Sequence, residues 1–156
     1  MLKKVALVIG VVLATQSVFA KDLTNRLGVG VKSHDTLSLP QLAVVYNPTS
    51  EYAVTGALGI DTQKDESRFA LDAGVRRIVF KEDHMNFFMG GNLGLVNFET
   101  VGNKQSGFEL NAVFGGEFFF AGLDSLGFSF EGGAGVVSAD DVRFKTLANF
   151  AVIFYF

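Results

Sequence analysis

The last nine residues constrain the fold of this chain more than any other stretch. They read ANFAVIFYF, and alternate positions carry the apolar side chains of Ala148, Phe150, Val152, Phe154 and Phe156. Because side chains alternate between the two faces of a β-strand, this spacing predicts a strand with one wholly apolar face. Such a face is typical of a strand whose outer side contacts lipid.

The same period-two pattern recurs upstream and predicts eight strands in all. They cover residues 26–33, 39–47, 51–61, 68–76, 87–96, 108–120, 126–137 and 148–156. Most have about the ~9 to 11 residues that a tilted strand needs to cross a bilayer. An even number of strands can close into a meander without a free edge. The sequence therefore predicts an all-β chain folded as an eight-stranded antiparallel up-and-down transmembrane β-barrel.

The positions between the apolar ones separate a membrane barrel from a soluble β-sandwich. A sandwich would place Lys, Glu and Thr there, where the sheet meets water. Here these positions carry mostly Gly, Ala, Ser and Asn, with a few charges. Small side chains suit the narrow lumen of an eight-stranded barrel.

The glycine-rich opening RLGVGVK at 26–32, the repeated alternation and the ending AVIFYF resemble the small outer-membrane barrels of the OmpA transmembrane-domain and OmpX kind. The terminal aromatic also resembles the signature read by the barrel assembly machinery, which makes Phe150, Val152, Phe154 and Phe156 the expected assembly signal. The resemblance implies a bacterial outer-membrane protein in contact with lipid and lipopolysaccharide. It also implies handling by periplasmic chaperones and a monomeric state.

The first twenty residues predict a cleaved secretory signal peptide, with the barrel domain over 21–156. Lys3 and Lys4 precede an apolar run that is too short to span a bilayer, and Ala20 stands at the expected cleavage site. Cleavage would change the formal net charge from −3 to −5, because two lysines and no acidic residue leave. Eight strands then place both termini in the periplasm. The predicted outer loops are 33–38, 62–67, 99–106 and 138–145, and the predicted periplasmic turns are 47–50, 81–85 and 121–125.

Outward aromatic residues are expected to collect at the two rims. The predicted periplasmic girdle consists of Tyr46, Tyr52, Phe87, Phe118, Phe120, Phe128 and Phe156. Phe69 and Phe108 are predicted at the outer rim. Arg77 does not fit the alternation: it either reaches toward the periplasmic edge, or a bulge after Gly74 shifts the register.

The inward charges are the candidate functional residues. They are Lys32, Arg68, Asp72, Arg76, Glu109, Glu117 and Glu131. Because an unpaired charge in a narrow lumen costs several kcal/mol, we expect these groups to pair, with Arg76 bound to Glu117 or Glu131. The network would serve as a structural plug, or alternatively as a gate in a narrow pore.

Catalytic chemistry receives little support. Ser33, His34 and Asp35 are consecutive in a predicted loop, but neighbours on an extended chain point in alternate directions and cannot form a relay by themselves. A partner from Ser138, Asp140 or Asp141 would be needed, and both His34 and His84 are expected to be solvated loop residues.

Cysteine is absent, and basic residues form no stripe. The sequence also lacks the His and Ser near the final strands that a resemblance to lipid A deacylase barrels would require, and the leading amphipathic helix that a resemblance to the palmitoyl transferase barrel would require. We therefore predict no cofactor, no metal and no nucleic-acid partner. The preferred function is a non-enzymatic structural or interaction barrel. A narrow channel or carrier for small or apolar molecules is the first alternative, and an outer-leaflet lipid-modifying enzyme is the second.

Overall fold

The computed structural model describes residues 22–156, which form one closed antiparallel β-barrel of eight strands. The strands are β1 (Leu27–His34), β2 (Leu39–Tyr46), β3 (Tyr52–Thr62), β4 (Glu66–Glu82), β5 (Met85–Thr100), β6 (Asn103–Phe119), β7 (Leu126–Ser138) and β8 (Val142–Tyr155). Each strand pairs with its neighbours in sequence, and β8 pairs with β1. The predicted all-β meander barrel is thus confirmed. The predicted signal peptide lies outside the described residues.

The ladder registers determine the tilt of the strands. A path that starts at Val31 on β1 and moves at each step to the paired residue on the next strand arrives at Val142 on β8. Where β1 pairs directly with β8, however, the partner of Val31 is Val152. The two positions differ by ten residues (152 − 142), which is the stagger of the barrel. This stagger corresponds to a strand tilt of ~40°, so one residue rises ~2.5 Å along the axis and each step to the next strand adds ~3 Å.

Several predicted loops belong to strands. The stretch 99–106 was expected to be the longest outer loop, yet only Val101 and Gly102 form its turn, with Gly102 at a φ of 78°. Strands β4, β5 and β6 reach 17, 16 and 17 residues, longer than a bilayer crossing requires. Their outer ends continue the ladder with polar side chains, so hydropathy alone gave the wrong boundaries. Among residues 22–156 no helix is long and apolar enough to cross a membrane.

The alternation places apolar side chains on the outside of the barrel. Phe150, Val152 and Phe154 point outward on β8, and Phe156, which follows the strand, is also exposed. The predicted periplasmic aromatics lie within a few residues of the lower strand ends. Three of them contact another ring in the pairs Phe80 with Phe87, Phe118 with Phe130, and Phe154 with Phe156, and two contact each other, Phe120 with Phe128.

A second band of outward aromatics lies at the outer rim. Phe69 and Phe108 occupy the expected positions, and Phe144 joins them with 77% of its surface exposed, although its segment was predicted as loop. The stagger places these three rings about 25 Å above the aromatics at the lower strand ends, which matches the height of the apolar band of outer-membrane barrels.

Arg77 is exposed on the outer face of β4, and its guanidinium lies 6.0 Å from the ring centre of Tyr52. The alternative of a bulge after Gly74 is wrong, because the β4–β5 register runs unbroken through Ile78 and shifts only between Ile78 and Phe80. An arginine near this lower edge of the barrel can extend its charged end toward water.

Candidate functional site

The lumen is the candidate functional site, because the polar and charged groups of eight strands converge there. Six of the seven predicted charges point inward from β1, β4, β6 and β7: Lys32, Asp72, Arg76, Glu109, Glu117 and Glu131. Arg68 differs. Its Nε donates to Glu66 over 2.5 Å and its Nη1 to the carbonyl of Leu37 over 3.1 Å, so it lies at the outer mouth and does not pair with Asp72.

A lower cluster crosses the lumen between opposite walls. Glu131 on β7 forms ion pairs with Arg76 of β4 and, at 3.0 Å, with Lys32 of β1. The Arg76 guanidinium also lies 4.4 Å from the centre of the Phe88 ring. Of the two carboxylates proposed as partners for Arg76, Glu131 is therefore the one in contact.

Glu117 has a different partner. The hydroxyl of Tyr155, an inward residue of β8, donates to its Oε1 over 2.7 Å. Tyr155 stacks obliquely on Phe119 and is 1% exposed. Sequence reasoning overlooked Tyr155, since it read the final strand only for its outward face.

An apolar floor closes the lumen at the end where β1 begins and β8 ends. Its residues are Leu23, Ala43, Val45, Ala53, Ala57, Phe119, Ala151, Ile153 and Tyr155. Leu23 precedes the first strand and folds under the barrel, where its carbonyl accepts from Arg26 N–H. The sequence predicted a lumen closed by charge alone, whereas its lower third is closed by packing.

An upper cluster surrounds His34. The His34 Nε2 lies 3.8 Å from Asp72 Oδ2 and 3.9 Å from Glu109 Oε2. Asp72 also accepts from Gln41 Nε2 over 2.5 Å, and Glu109 from Lys145 Nζ over 2.8 Å. The prediction of a solvated loop histidine is wrong for His34, which is 6% exposed and belongs to β1. His84 is exposed in its turn.

The stretch Ser33-His34-Asp35 does not assemble a catalytic relay. The Ser33 hydroxyl accepts from the backbone N–H of Phe150 over 2.9 Å at the barrel wall, while His34 points into the lumen. The carboxylates near His34 come from Asp72 and Glu109, not from Asp140 or Asp141. Within residues 22–156 no group of three or more His, Asp or Glu side chains is arranged to hold a metal ion.

The β1–β2 loop, residues 35–38, covers the outer mouth of the lumen. The Leu37 N–H donates to His34 Nδ1 over 3.2 Å, and the Leu37 carbonyl accepts from Arg68. On the other side Lys145 donates to the Thr36 hydroxyl. Leu37 packs on a small apolar cluster of Leu39, Ala70 and Val96. The loop therefore joins β4 to β8 across the mouth and acts as a lid, which we call the cap loop.

Below the cap loop the lumen contains a small polar cavity. This cavity of about 10 Å³ lies among His34, Asp72, Glu109 and Lys145, which is the size of a single water site. The polar floor of this cavity is formed by Asn92, Asn111 and Asn149.

Closed antiparallel topology, an apolar outer band between two aromatic rims and a polar interior together give this chain the fold of a small outer-membrane-type β-barrel. Among solved structures, the chain is similar to the N-terminal β-barrel domain of Pseudomonas aeruginosa OprF, with a TM-score of 0.60 and 14% sequence identity. The match covers 85% of this chain and 98% of that domain. No family model and no curated protein sequence matches the chain.

Proposed function

We propose that this protein is an integral outer-membrane barrel with a structural or interaction role, without catalysis, and with its lumen plugged by the network of charged side chains. In this proposal the signal peptide is removed, both termini lie in the periplasm, and the protein is a monomer surrounded by outer-membrane lipid and lipopolysaccharide. Two aromatic rims about 25 Å apart support the location, and the likeness to the OprF barrel domain supports the architecture.

The observation that carries the plug is the ion cluster of Lys32, Glu131 and Arg76. These residues come from β1, β7 and β4, so the cluster bridges the whole width of the lumen. Arg76 and Glu131 are 6% and 5% exposed. Buried charges that lose their partner cost about 3 to 5 kcal/mol, so the cluster resists opening.

The substitution Arg76→Ala tests the plug, with Arg77→Ala as a matched control. Both replace an arginine on the same strand, but Arg77 faces outward and has no part in the cluster. We expect Arg76→Ala to lower the free energy of unfolding in detergent by about 3 kcal/mol and to raise conductance in planar bilayers. Arg77→Ala should resemble the wild type in both measurements. If Arg76→Ala changes neither quantity, the plug and the gate are both rejected.

A narrow water-filled channel is the second candidate. Buried side-chain atoms of Asn92, Asn111 and Ser129 have no hydrogen-bond partner within residues 22–156, and such atoms favour contact with water. Measurable conductance of the wild type would favour this function, since a plugged lumen predicts none.

A further inference from the structure

The wall of the barrel is incomplete in its outer half, between β8 and the β1–β2 hairpin. The β1–β8 ladder has five residue pairs and ends at Lys32 and Ala151. One residue further, the Ser33 hydroxyl takes the place of a ladder carbonyl and accepts from Phe150 N–H over 2.9 Å. Beyond that point β8 continues to Val142 while β1 turns inward, so the two strands separate.

The separation leaves a crevice of about 590 Å³ on the lipid-facing wall. Its apolar side is formed by Val31, Pro40, Ala148, Phe150 and Val152. The stagger places Ser33 roughly 15 Å above the start of β1, and the top of the β1–β2 hairpin at roughly 20 Å. The aromatics of the outer rim lie at about 25 Å, so the crevice opens into the outer leaflet.

A second cavity lies directly above the cap loop at the outer mouth. It measures about 340 Å³, and Arg68, Phe98, Gln105 and Arg143 line it. We call this second cavity the vestibule. Ser38 lines both the vestibule and the crevice, so the two spaces meet at one residue of the cap loop. Together they have the volume of a ligand site.

From the vestibule at the outer rim down to the crevice, the lining becomes less basic and less polar. At the level of the outer rim Arg143 is exposed and has no carboxylate partner among the described residues, with Arg68 on the opposite wall. Below the rim the lining is mainly apolar, with Lys32, His34 and Asp35 as its charged or ionisable members. A molecule with an anionic head and one alkyl chain fits this gradient, with its head at the membrane surface and its chain in the outer leaflet.

We propose that the crevice and the vestibule form one binding site for a single-chain anionic amphiphile, such as a long-chain fatty carboxylate. The head contacts Arg143 above Ser38, and the alkyl chain lies along Phe150 and Val152 in the gap left by the β1–β8 seam. The cap loop keeps the molecule on the outer side. The site therefore exchanges molecules between the outer leaflet and the external solution.

The chain contains no tryptophan, so a single introduced indole reports on the crevice. The variants are Phe150→Trp, inside the crevice, and Phe114→Trp, on β6 away from it. Phe150 and Phe114 are 68% and 62% exposed, and both face lipid near mid-depth. The protein is reconstituted in phosphatidylcholine vesicles, and fluorescence quenching by dibromostearate is measured against dibromostearyl alcohol.

We expect dibromostearate to quench the Phe150→Trp protein at concentrations about fivefold below those needed for Phe114→Trp, and the alcohol to show no such preference. When Arg143→Gln is added to the Phe150→Trp protein, the apparent affinity for dibromostearate should fall about fivefold, as expected for the loss of one partly exposed ion pair. When Arg77→Gln, at the opposite rim, is added instead, the apparent affinity should stay the same.

Equal quenching of both reporters would mean ordinary annular contact and would overturn the site. Equal effects of Arg143→Gln and Arg77→Gln would overturn the assignment of the head group. A heat-dependent shift in gel mobility verifies folding of each variant. Because conductance reports on the lumen and quenching on the crevice, the plug and this site stand or fall separately.

Discussion

The β1–β2 hairpin and the β5–β6 hairpin follow the same alternation and end in different places. Strands β5 and β6 share sixteen ladder pairs and protrude beyond the outer rim. The β1–β2 hairpin has two strands of eight residues, stops below the rim and bends over the lumen. The difference shows that the β5–β6 hairpin gives the barrel wall its height and stability. The β1–β2 hairpin instead provides the cap loop and leaves the crevice beside β8.

The residues at the two tips account for the contrast. The β5–β6 turn needs only Val101 and Gly102, with glycine in the left-handed region, so the ladder continues to the last residue. The other hairpin has Pro40, which lacks an N–H donor, opposite Ser33, and Ser38 at a φ of 48°. Polar loop atoms at membrane depth require protein partners, and the loop obtains them by turning inward.

The largest effect should come from shortening the seam. Removal of Phe154 to Phe156 deletes two of the five β1–β8 pairs and the two backbone bonds between Leu27 and Phe156. We expect loss of refolding from denaturant into detergent, in addition to loss of assembly in cells. Deleting Glu99, Thr100, Asn103 and Lys104 removes two of sixteen pairs from β5–β6 and should leave refolding intact. Normal refolding of the truncated chain would restrict the terminal residues to a recognition role.

Gly30 should be the most sensitive single position of the seam. A Cβ at Gly30 would overlap the carbonyl oxygen of Val152, whereas a Cβ at Gly56 would come no closer than 3.8 Å to the carbonyl oxygen of Asp72. Gly30→Ala is expected to lower the free energy of unfolding by about 3 kcal/mol through forced displacement of β8, and Gly56→Ala by under ~1 kcal/mol. Urea titration in detergent distinguishes them. Equal losses would mean that the seam tolerates separation.

His34→Ala should loosen the cap loop. It removes the acceptor of the Leu37 N–H and the group between Asp72 and Glu109, at an expected cost of about 2 kcal/mol. The Leu37 amide should then exchange with solvent at least about tenfold faster, since 1.4 kcal/mol corresponds to a factor of ten. His84→Ala, in an exposed turn, is the matched control and should leave this amide unchanged. Unaltered protection in His34→Ala would show that the contacts of Arg68, Lys145 and the Leu37 side chain hold the loop without His34.

The smallest effect is expected at the protruding tip. Lys104 and Glu99 approach to 3.9 Å with both side chains more than half exposed, so Glu99→Gln should change stability by under ~0.5 kcal/mol. Glu131→Gln, inside the lumen, leaves Lys32 and Arg76 without their carboxylate and should cost several times more. Thermal unfolding of both variants in one detergent measures the ratio. Similar losses would contradict the plug.

Particular residues show how far sequence reasoning reaches. The alternation identified the outward face of every strand and the inward position of Arg76 and Glu131, because side-chain direction follows from the strand period. It failed at His34 and Lys145, which were assigned to loops. Where a strand extends beyond the apolar band, its outward positions are polar, and the alternation that marks a strand disappears from the sequence. At the outer ends of β4 to β6 a strand therefore cannot be distinguished from a loop by sequence pattern.

The sequence by itself determined the strand period, the apolar outer wall and the even strand number, since these depend on local side-chain direction and on the solvent each face meets. Only the tertiary structure decided the stagger of ten residues, the choice of Glu131 over Glu117 as partner of Arg76, and the early end of the β1–β8 ladder. These features depend on contacts between residues far apart in the chain, including pairs about a hundred or more positions apart, such as Lys32 with Glu131 and Ser33 with Phe150. Such contacts exist only after the barrel has closed.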